Sequence, residues 1–252
     1  GRQNISGIFN FPRARGKYIA LMDCDDYWCN PGKLEAQVSY LEAHPDCAMT
    51  VHAAAVKNDR GELVNWNLMR PYRGDRDLSP AELIDKTGSF PFGAMLLRRE
   101  VVEQLPDWYF RCPVGDRPLE LLSALKGYCH YADRFDSVYR FHGAGSWTEE
   151  MKSGDFKKKQ DAYAIAMREL YRAFDRESGG RYHRAAVSAA RRVYFLTRVN
   201  LRDYDEIFSP RYRRYYRELS LRDRGFIRAE RTLPFLFAGL RRLRDWIFRQ
   251  EG

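Results

Sequence analysis

Between residues 20 and 37 the chain reads "ALMDCDDYWCNPGKLEAQ", which puts Asp23, Asp25 and Asp26 within four positions at the end of an apolar run. Carboxylates that close repel one another, and burial raises their pKa values, so the cluster costs stability unless a positive charge joins it. Two readings follow. On a solvated turn, water screens the three acids and they have no further role. At the end of a strand, the same acids can hold a cation. Oxygen donors without histidine or thiolate favour a hard divalent ion, Mg2+ or Mn2+, which usually shares its coordination with substrate phosphates. Such an ion can neutralise the charge that builds on a departing diphosphate. A D-x-D-D string alone does not choose between the readings.

The surrounding segments must position the cluster. "GKYIALMD" (16–23) reads as a buried strand that ends at the acids, and "NPG" (30–32) as a turn. Lys33 to Ala43 places Leu34, Val38 and Leu41 at helical spacing, and His44-Pro45 ends that helix. Residues 47–56 form the next expected strand. Ser79-Pro80-Ala81-Glu82 is a helix start with serine as cap and glutamate three residues on. A strand over 91–99, a short helix over 99–105 and a helix within 114–127 stopped by Gly127 follow, then two short strands near 128–132 and 136–142. Strands alternating with helices predict an α/β domain with a largely parallel sheet, where ligands bind at the carboxyl ends of the strands.

A chain of 252 residues with 44% hydrophobic residues is long enough for one sizeable domain, or one with an appendage. Its net charge of +9 is unevenly spread. Residues 1–150 carry 18 basic and 21 acidic residues, a net −3, whereas 151–252 carry 25 and 13, a net +12. That asymmetry predicts two regions, 1–150 and 151–252, the second mainly helical, basic and aromatic. The five cysteines are scattered with no C-x-x-C pair, which argues against a disulfide framework or zinc site and for a reducing, cytoplasmic compartment. Cys24 and Cys29 read as packing residues. No apolar run reaches the roughly 18 residues of a membrane span.

The stretch "ARGKYIALMDCDDYWCNPGKLEAQVSYLEAHPDCAMTVHAA" closely resembles the nucleotide-binding middle of family 2 inverting glycosyltransferases with the GT-A (Rossmann-like) fold. There a strand of the A-x-G-x-Y-I-A type enters a D-x-D loop, followed by an aromatic, a proline and a helix opening K-L-x-x-Q. The resemblance spans about residues 4 to 147. It implies that Asp23 and Asp25 are the first and last acids of the D-x-D and Asp26 a further acid. It also implies that Asp25 or Asp26 ligates the cation on a sugar nucleotide's diphosphate, with Asp23 on the donor side. Tyr27 and Trp28 are expected to pack under the loop.

An inverting transfer also needs a base for the acceptor hydroxyl. "PVGDRPLELLSALKG" resembles the family's segment in which an acid at a helix start is that base, here Asp116 after Gly115. The competing role is a helix N-cap before Arg117-Pro118. "SVYRFHGAGSW" (137–147) resembles the closing S-x-Y-R-x-H segment, which would bring Arg140 and His142 towards the diphosphate. The alternative for His142 is a histidine over the core. Phe92 and Gly93 are expected to border the acceptor pocket. Asn4, Gly7 and Asn10 fall where relatives touch the nucleotide.

The family's domain opens with a βαβ half that grips the base, and "NISGIFNFPRARGKYIA" resembles the segment after it, so an N-terminally truncated domain is expected. For the basic tail two readings stand open. Leu233, Phe235, Leu236, Leu240, Leu243, Trp246 and Ile247 either dock on the catalytic domain or lie on an anionic membrane at its cytoplasmic face. No nucleic-acid-binding motif is present. The resulting expectation is a metal-assisted transfer of a sugar from a nucleotide donor to a hydroxyl of a glycan or glycolipid of the cell envelope. The alternative is a non-catalytic peripheral membrane or scaffold protein built on a transferase fragment. A D-x-D phosphohydrolase is disfavoured by Tyr27-Trp28, where that chemistry uses Thr or Val.

Overall fold

The acidic cluster lies on a turn between two short strands, β1 (Tyr18–Ala20) and β2 (Tyr27–Trp28), in a computed structural model that describes residues 4–58, 60–64, 69–85, 90–141, 150–151 and 153–235. The Asn30 side chain holds the next turn by accepting from the Gly32 N–H at 2.9 Å, and helix α1 (Lys33–Ala43) follows. Strand β3 (Cys47–Lys57) comes next and is buried along ten of its eleven residues. A mainly apolar run of this kind, interrupted by the buried Thr50 and His52, is what a strand covered on both faces requires.

Strand β4 (Arg76–Leu78) leads into helix α2 (Pro80–Asp85). Its predicted start forms a reciprocal cap: the Glu82 N–H donates to Ser79 Oγ at 3.3 Å and the Ser79 N–H donates to Glu82 Oε2 at 3.1 Å. Residues 91–99 are not one strand. A 3-10 turn, Phe92–Ala94, closes on itself through Met95 N–H to the Phe92 carbonyl, and only β5 (Leu96–Arg98) pairs. The helix expected over 99–105 shrinks to one 3-10 turn, Arg99–Val101, because Pro106 leaves too little chain for a helical nucleus to repay itself.

Helices α3 (Asp107–Arg111) and α4 (Asp116–Lys126) precede the long strand β6 (Tyr128–Arg140). Gly127 joins α4 to β6 where a Cβ would run into the Asp46 carbonyl oxygen. The two expected short strands are one strand with a bulge. His52 pairs with Ala132 and the next residue, Ala53, with Phe135, so Asp133 and Arg134 loop out of register.

The sheet order is β1-β5-β3-β6-β2, with β4 also on β6. Only β3 and β6 run parallel; β1–β5, β3–β5, β2–β6 and β4–β6 are antiparallel. The expectation of a largely parallel sheet is therefore corrected to a mixed one. A parallel neighbour needs a long crossover connection, and most of these strands are two or three residues long and entered by turns.

By contacts the chain divides into two compact units, Gly1–Val193 and Tyr194–Gly252. The division does not fall at the charge break near residue 150. Helix α5 (Phe156–Glu177) and the first part of helix α6 (His183–Leu201) share the sheet's core: Met167, Leu170, Tyr171, Phe174 and Ala189 join Leu83, Leu119 and Leu122. The second unit adds α7 (Tyr204–Ile207), a 3-10 turn (Pro210–Tyr212), α8 (Arg213–Glu218) and α9 (Leu221–Thr232). It has its own core of Phe195, Ile207, Tyr212, Tyr215, Tyr216 and Ile227. Among the described residues no helix is long and apolar enough to cross a membrane.

Candidate active site

The acidic turn is tied to the sheet at both ends. Leu21 N–H donates to the Met95 carbonyl at 3.2 Å, Tyr27 and Trp28 pair with Val138 and Ser137 of β6, and Cys29 N–H donates to the Asp136 carbonyl at 3.0 Å. Between these anchors, Asp26 N–H donates to the Asp23 carbonyl at 3.2 Å and closes a four-residue turn. The Asp26 carboxylate accepts from the Arg140 N–H at 2.9 Å, and the Arg140 guanidinium lies 5.9 Å from the Tyr27 ring centroid.

No lysine or arginine side chain forms an ion pair with Asp23, Asp25 or Asp26 among the described residues. Burial pushes Asp23 up to about 6, and the charges of Asp25 and Asp116 add to the rise. The residue nevertheless keeps an exposed surface. Burial also pushes Asp26 up to about 6, against the Arg140 N–H that stabilises its anion. These are like charges held together, with the Arg140 charge only partly offsetting the rise at Asp26.

A polar brace behind the turn escaped the sequence. Lys33 is 1% exposed; its Nζ donates to Gln37 Oε1 at 2.8 Å and lies 4.3 Å from the Trp28 ring centroid. Burial pushes its pKa down to about 8, opposed by the nearby Asp136 charge. Gln37 Nε2 donates to the Ala94 carbonyl at 2.9 Å, and Trp28 Nε1 donates to the Gly93 carbonyl at 2.8 Å. One face of α1 thus fixes the acidic turn and the Phe92–Ala94 segment relative to each other. The sequence showed Lys33 and Gln37 at i, i+4, within the helix opening K-L-x-x-Q that carries the resemblance, but not what they bond.

Asp116 opens α4 but is not its N-cap; Gly115 occupies that position without a side-chain cap. Asp116 Oδ1 accepts from the Arg117 N–H at 2.7 Å. Desolvation nevertheless raises its pKa, ahead of that stabilising bond. The next residue anchors it. Arg117 is buried, donates to the carbonyls of Leu83 and Ile84 and to Glu120, and bonds the Tyr171 hydroxyl at 2.8 Å through Nε. Burial pushes Glu120 up to about 7 despite that arginine.

The two acidic sites are brought together. Asp116 acts electrostatically on Asp23, and residues 92–93 lie between their elements. A Cβ at Gly93 would sit 3.3 Å from Met22 Sδ, and one at Gly115 would sit 3.7 Å from Phe92 and 3.6 Å from Asn4 Oδ1. Asn4 Nδ2 donates to the Tyr109 carbonyl at 3.0 Å, so this residue stands beside the Asp116 helix start. Gly7 is buried where a Cβ would be 2.6 Å from the Tyr109 ring, which explains the glycine by packing. Asn10 is exposed, with only Ser6 Oγ at 3.4 Å. His142 lies outside the described residues. Cys24 and Cys29 are exposed rather than packed, a correction to their expected role. Tyr163 of α5 was not foreseen, because the charge break assigned it to the other region; its hydroxyl pKa is raised chiefly by burial and then by the Asp116 charge.

Among the described residues no three His, Cys, Asp or Glu side chains converge to hold a metal ion.

A model of the family described as Glycosyl transferase family 2 matches residues 9–105. This segment is similar to glycosyltransferase family 2. The match takes in the acidic turn, α1, β3 and the 92–94 segment, on a mixed α/β sheet followed by helices. Similar proteins include "Uncharacterized protein Rv1520" of Mycobacterium tuberculosis strain H37Rv and "Uncharacterized protein Mb1547" of Mycobacterium bovis, each 30% identical over 140 residues. The aligned stretch covers 53% of this chain and 37% of each relative, so the chain spans well under half the length of the proteins it matches.

Proposed function

We propose that the protein is an inverting glycosyltransferase that moves a sugar from a nucleoside-diphosphate donor to a hydroxyl acceptor. The observation that carries the reading is the juxtaposition of two acid sites, the sheet-anchored 23–26 turn and the desolvated Asp116, on either side of the Phe92–Ala94 segment. One site suits a diphosphate and its cation, the other a reacting hydroxyl.

In this reading Asp116 takes the proton of the acceptor hydroxyl as its oxygen bonds the anomeric carbon and the bond from that carbon to the diphosphate oxygen breaks. A raised pKa makes the carboxylate a better proton acceptor, and the Arg117 anchor fixes where it points. Asp23 lines the donor side, and Arg140, whose backbone N–H bonds the Asp26 carboxylate, would offer its guanidinium to phosphate oxygens. Asp25 or Asp26 would hold Mg2+ or Mn2+, which when bound supplies positive charge to the leaving diphosphate. The acceptor class proposed is a glycan or lipid-linked glycan of the cell envelope.

The test is calorimetric titration of UDP and GDP into the full-length protein, with and without Mn2+. Metal-dependent binding by the wild type that disappears in the Asp25→Asn/Asp26→Asn double variant supports the reading. Nucleotide binding unaffected by chelator and by that variant would overturn the role given to the turn. No nucleotide binding at all would favour the non-catalytic scaffold.

A further inference from the structure

The second unit carries a charge pattern that the transferase reading does not use. Residues 211–235 contain eight arginines against three acids, and every basic residue from 194 onward is arginine. The acids are engaged within the unit: Glu230 with Arg202 at 2.6 Å, Glu218 with Arg214 at 3.2 Å, and Asp223 with the Ser220 hydroxyl at 2.6 Å. No acid pairs with Arg213, Arg228 or Arg231 among the described residues.

Two of those arginines border a cavity of about 350 Å3, lined by Ile207, Phe208, Pro210, Arg213, Tyr216 and Arg228. Arg228 lies 5.8 Å from the Tyr216 ring centroid and Arg231 4.6 Å from that of Phe208. The floor is apolar and the rim cationic. Beside it, α9 buries Ile227 and Glu230 and leaves Leu221 80% and Phe226 51% exposed, and Leu233 at its C-cap is 54% exposed. Phe235, just past the helix, is 91% exposed. Arg224, Arg228 and Arg231 recur at helical spacing along one side of α9.

We propose that this face of the second unit seats on an anionic lipid bilayer, with phosphodiester headgroups at the Arg213–Arg228–Arg231 rim and the exposed leucines and phenylalanines among the upper acyl carbons. Guanidinium forks match phosphodiester oxygens, and an amphipathic helix rich in arginine on one side and Leu/Phe on the other lies in the interfacial plane. Nucleic acid would also meet the arginines, but it offers nothing for Leu221 and Leu233. An acidic protein would not need so many exposed apolar groups interleaved with the cations. The inference stands independently of the transferase reading, since it uses no residue of the acidic site.

The experiment is co-sedimentation of the full chain with vesicles of phosphatidylcholine alone and with ~30 mol % phosphatidylglycerol, at low salt and at ~0.5 M salt. Binding to the anionic vesicles only, weakened at least tenfold by salt, is expected. The Arg213→Gln/Arg228→Gln/Arg231→Gln variant should lose binding at least tenfold. Because that cavity borders the unit's core, Leu221→Ser/Leu233→Ser, confined to exposed positions, provides a second variant and should also lose binding. Equal binding to neutral vesicles, full binding by either variant with an unchanged circular dichroism spectrum, or displacement from vesicles by single-stranded RNA at equal phosphate would overturn the proposal. The Asp25→Asn/Asp26→Asn variant should bind vesicles like the wild type, which separates failure of this inference from failure of the transferase reading.

Discussion

The two units concentrate opposite charge in opposite ways. In the first, three carboxylates are fixed by backbone: the turn is closed on itself, anchored to β5 and β6, and backed by the Lys33–Gln37 brace. In the second, guanidiniums stand at the ends of long side chains on short helices. A fixed cluster of like charge suits one ion at one place, while mobile charges spread over a face suit an extended surface. The difference separates a geometric site from a field.

The largest expected effect would break the catalytic half of that comparison. Asp116→Asn removes the proton acceptor while keeping the shape and the oxygen that accepts from Arg117 N–H. Sugar transfer by the full-length protein should fall about 100-fold or more, with nucleotide affinity unchanged. A variant that retains transfer would show that Asp116 serves only the first turn of α4.

The next effect concerns acid. His52 is buried, its Nδ1 bonds the Ala53 carbonyl at 2.8 Å, and its Nε2 has no partner. Burial chiefly pushes its pKa down to about 4, with the Lys33 charge adding to the fall. An unfolded histidine titrates near 6.5, so the unfolded chain binds the proton first. The stability owed to a neutral His52 is thus present above about 6.5 and lost as pH falls towards 4, by up to about 3 kcal/mol. His52→Phe should flatten this acid limb in urea titrations read between those pH values. No histidine follows His183, so the second unit has no histidine to contribute a limb of this kind.

How much of this was legible in the sequence depended on how local its cause was. Helix α1 runs over the residues its spacing indicated, Lys33 to Ala43, and the Ser79–Glu82 cap formed as its residue types required. Both are set within one or two turns of chain. Strand direction was not legible, because pairing partners are tens of residues apart: Tyr27 meets Val138 and Ala20 meets Leu96. Charge alone did not show which helices pack on the sheet, for a related reason. Charge changes near residue 150, but Met167, Tyr171 and Phe174 join the sheet's core. Within the site, the acids were visible as a string, whereas the Lys33–Trp28–Gly93 and Gln37–Ala94 links cross 57 to 65 residues and could not be seen.

A salt series sharpens the contrast between the units. Exposed charges are screened within a Debye length of about 8 Å at physiological ionic strength, and partly buried ones much less. Raising salt to ~0.5 M should weaken vesicle binding at least tenfold but metal-dependent nucleotide binding by only about threefold. Equal sensitivity would mean that the acidic turn behaves as a diffuse surface and that its backbone anchoring is irrelevant to binding.

The smallest effect tests that anchoring directly. Trp28→Phe keeps an aromatic face for the Lys33 ammonium but deletes the indole N–H that donates to the Gly93 carbonyl at 2.8 Å. Leaving that carbonyl without its partner should cost about 1 kcal/mol of stability. A purely structural bond would show only this loss, with nucleotide and acceptor parameters unchanged. If the bond sets the acidic turn against the Phe92–Ala94 segment, the acceptor KM should rise several-fold while the Mn2+-dependent affinity for nucleotide stays near wild type. That split follows because the turn keeps its own closure through Asp23 and Asp26 and its pairing with β6, whereas the 92–94 segment loses one of its two ties and keeps only Gln37. A change in nucleotide affinity alone would place the segment on the donor side and reverse the assignment of the two acid sites.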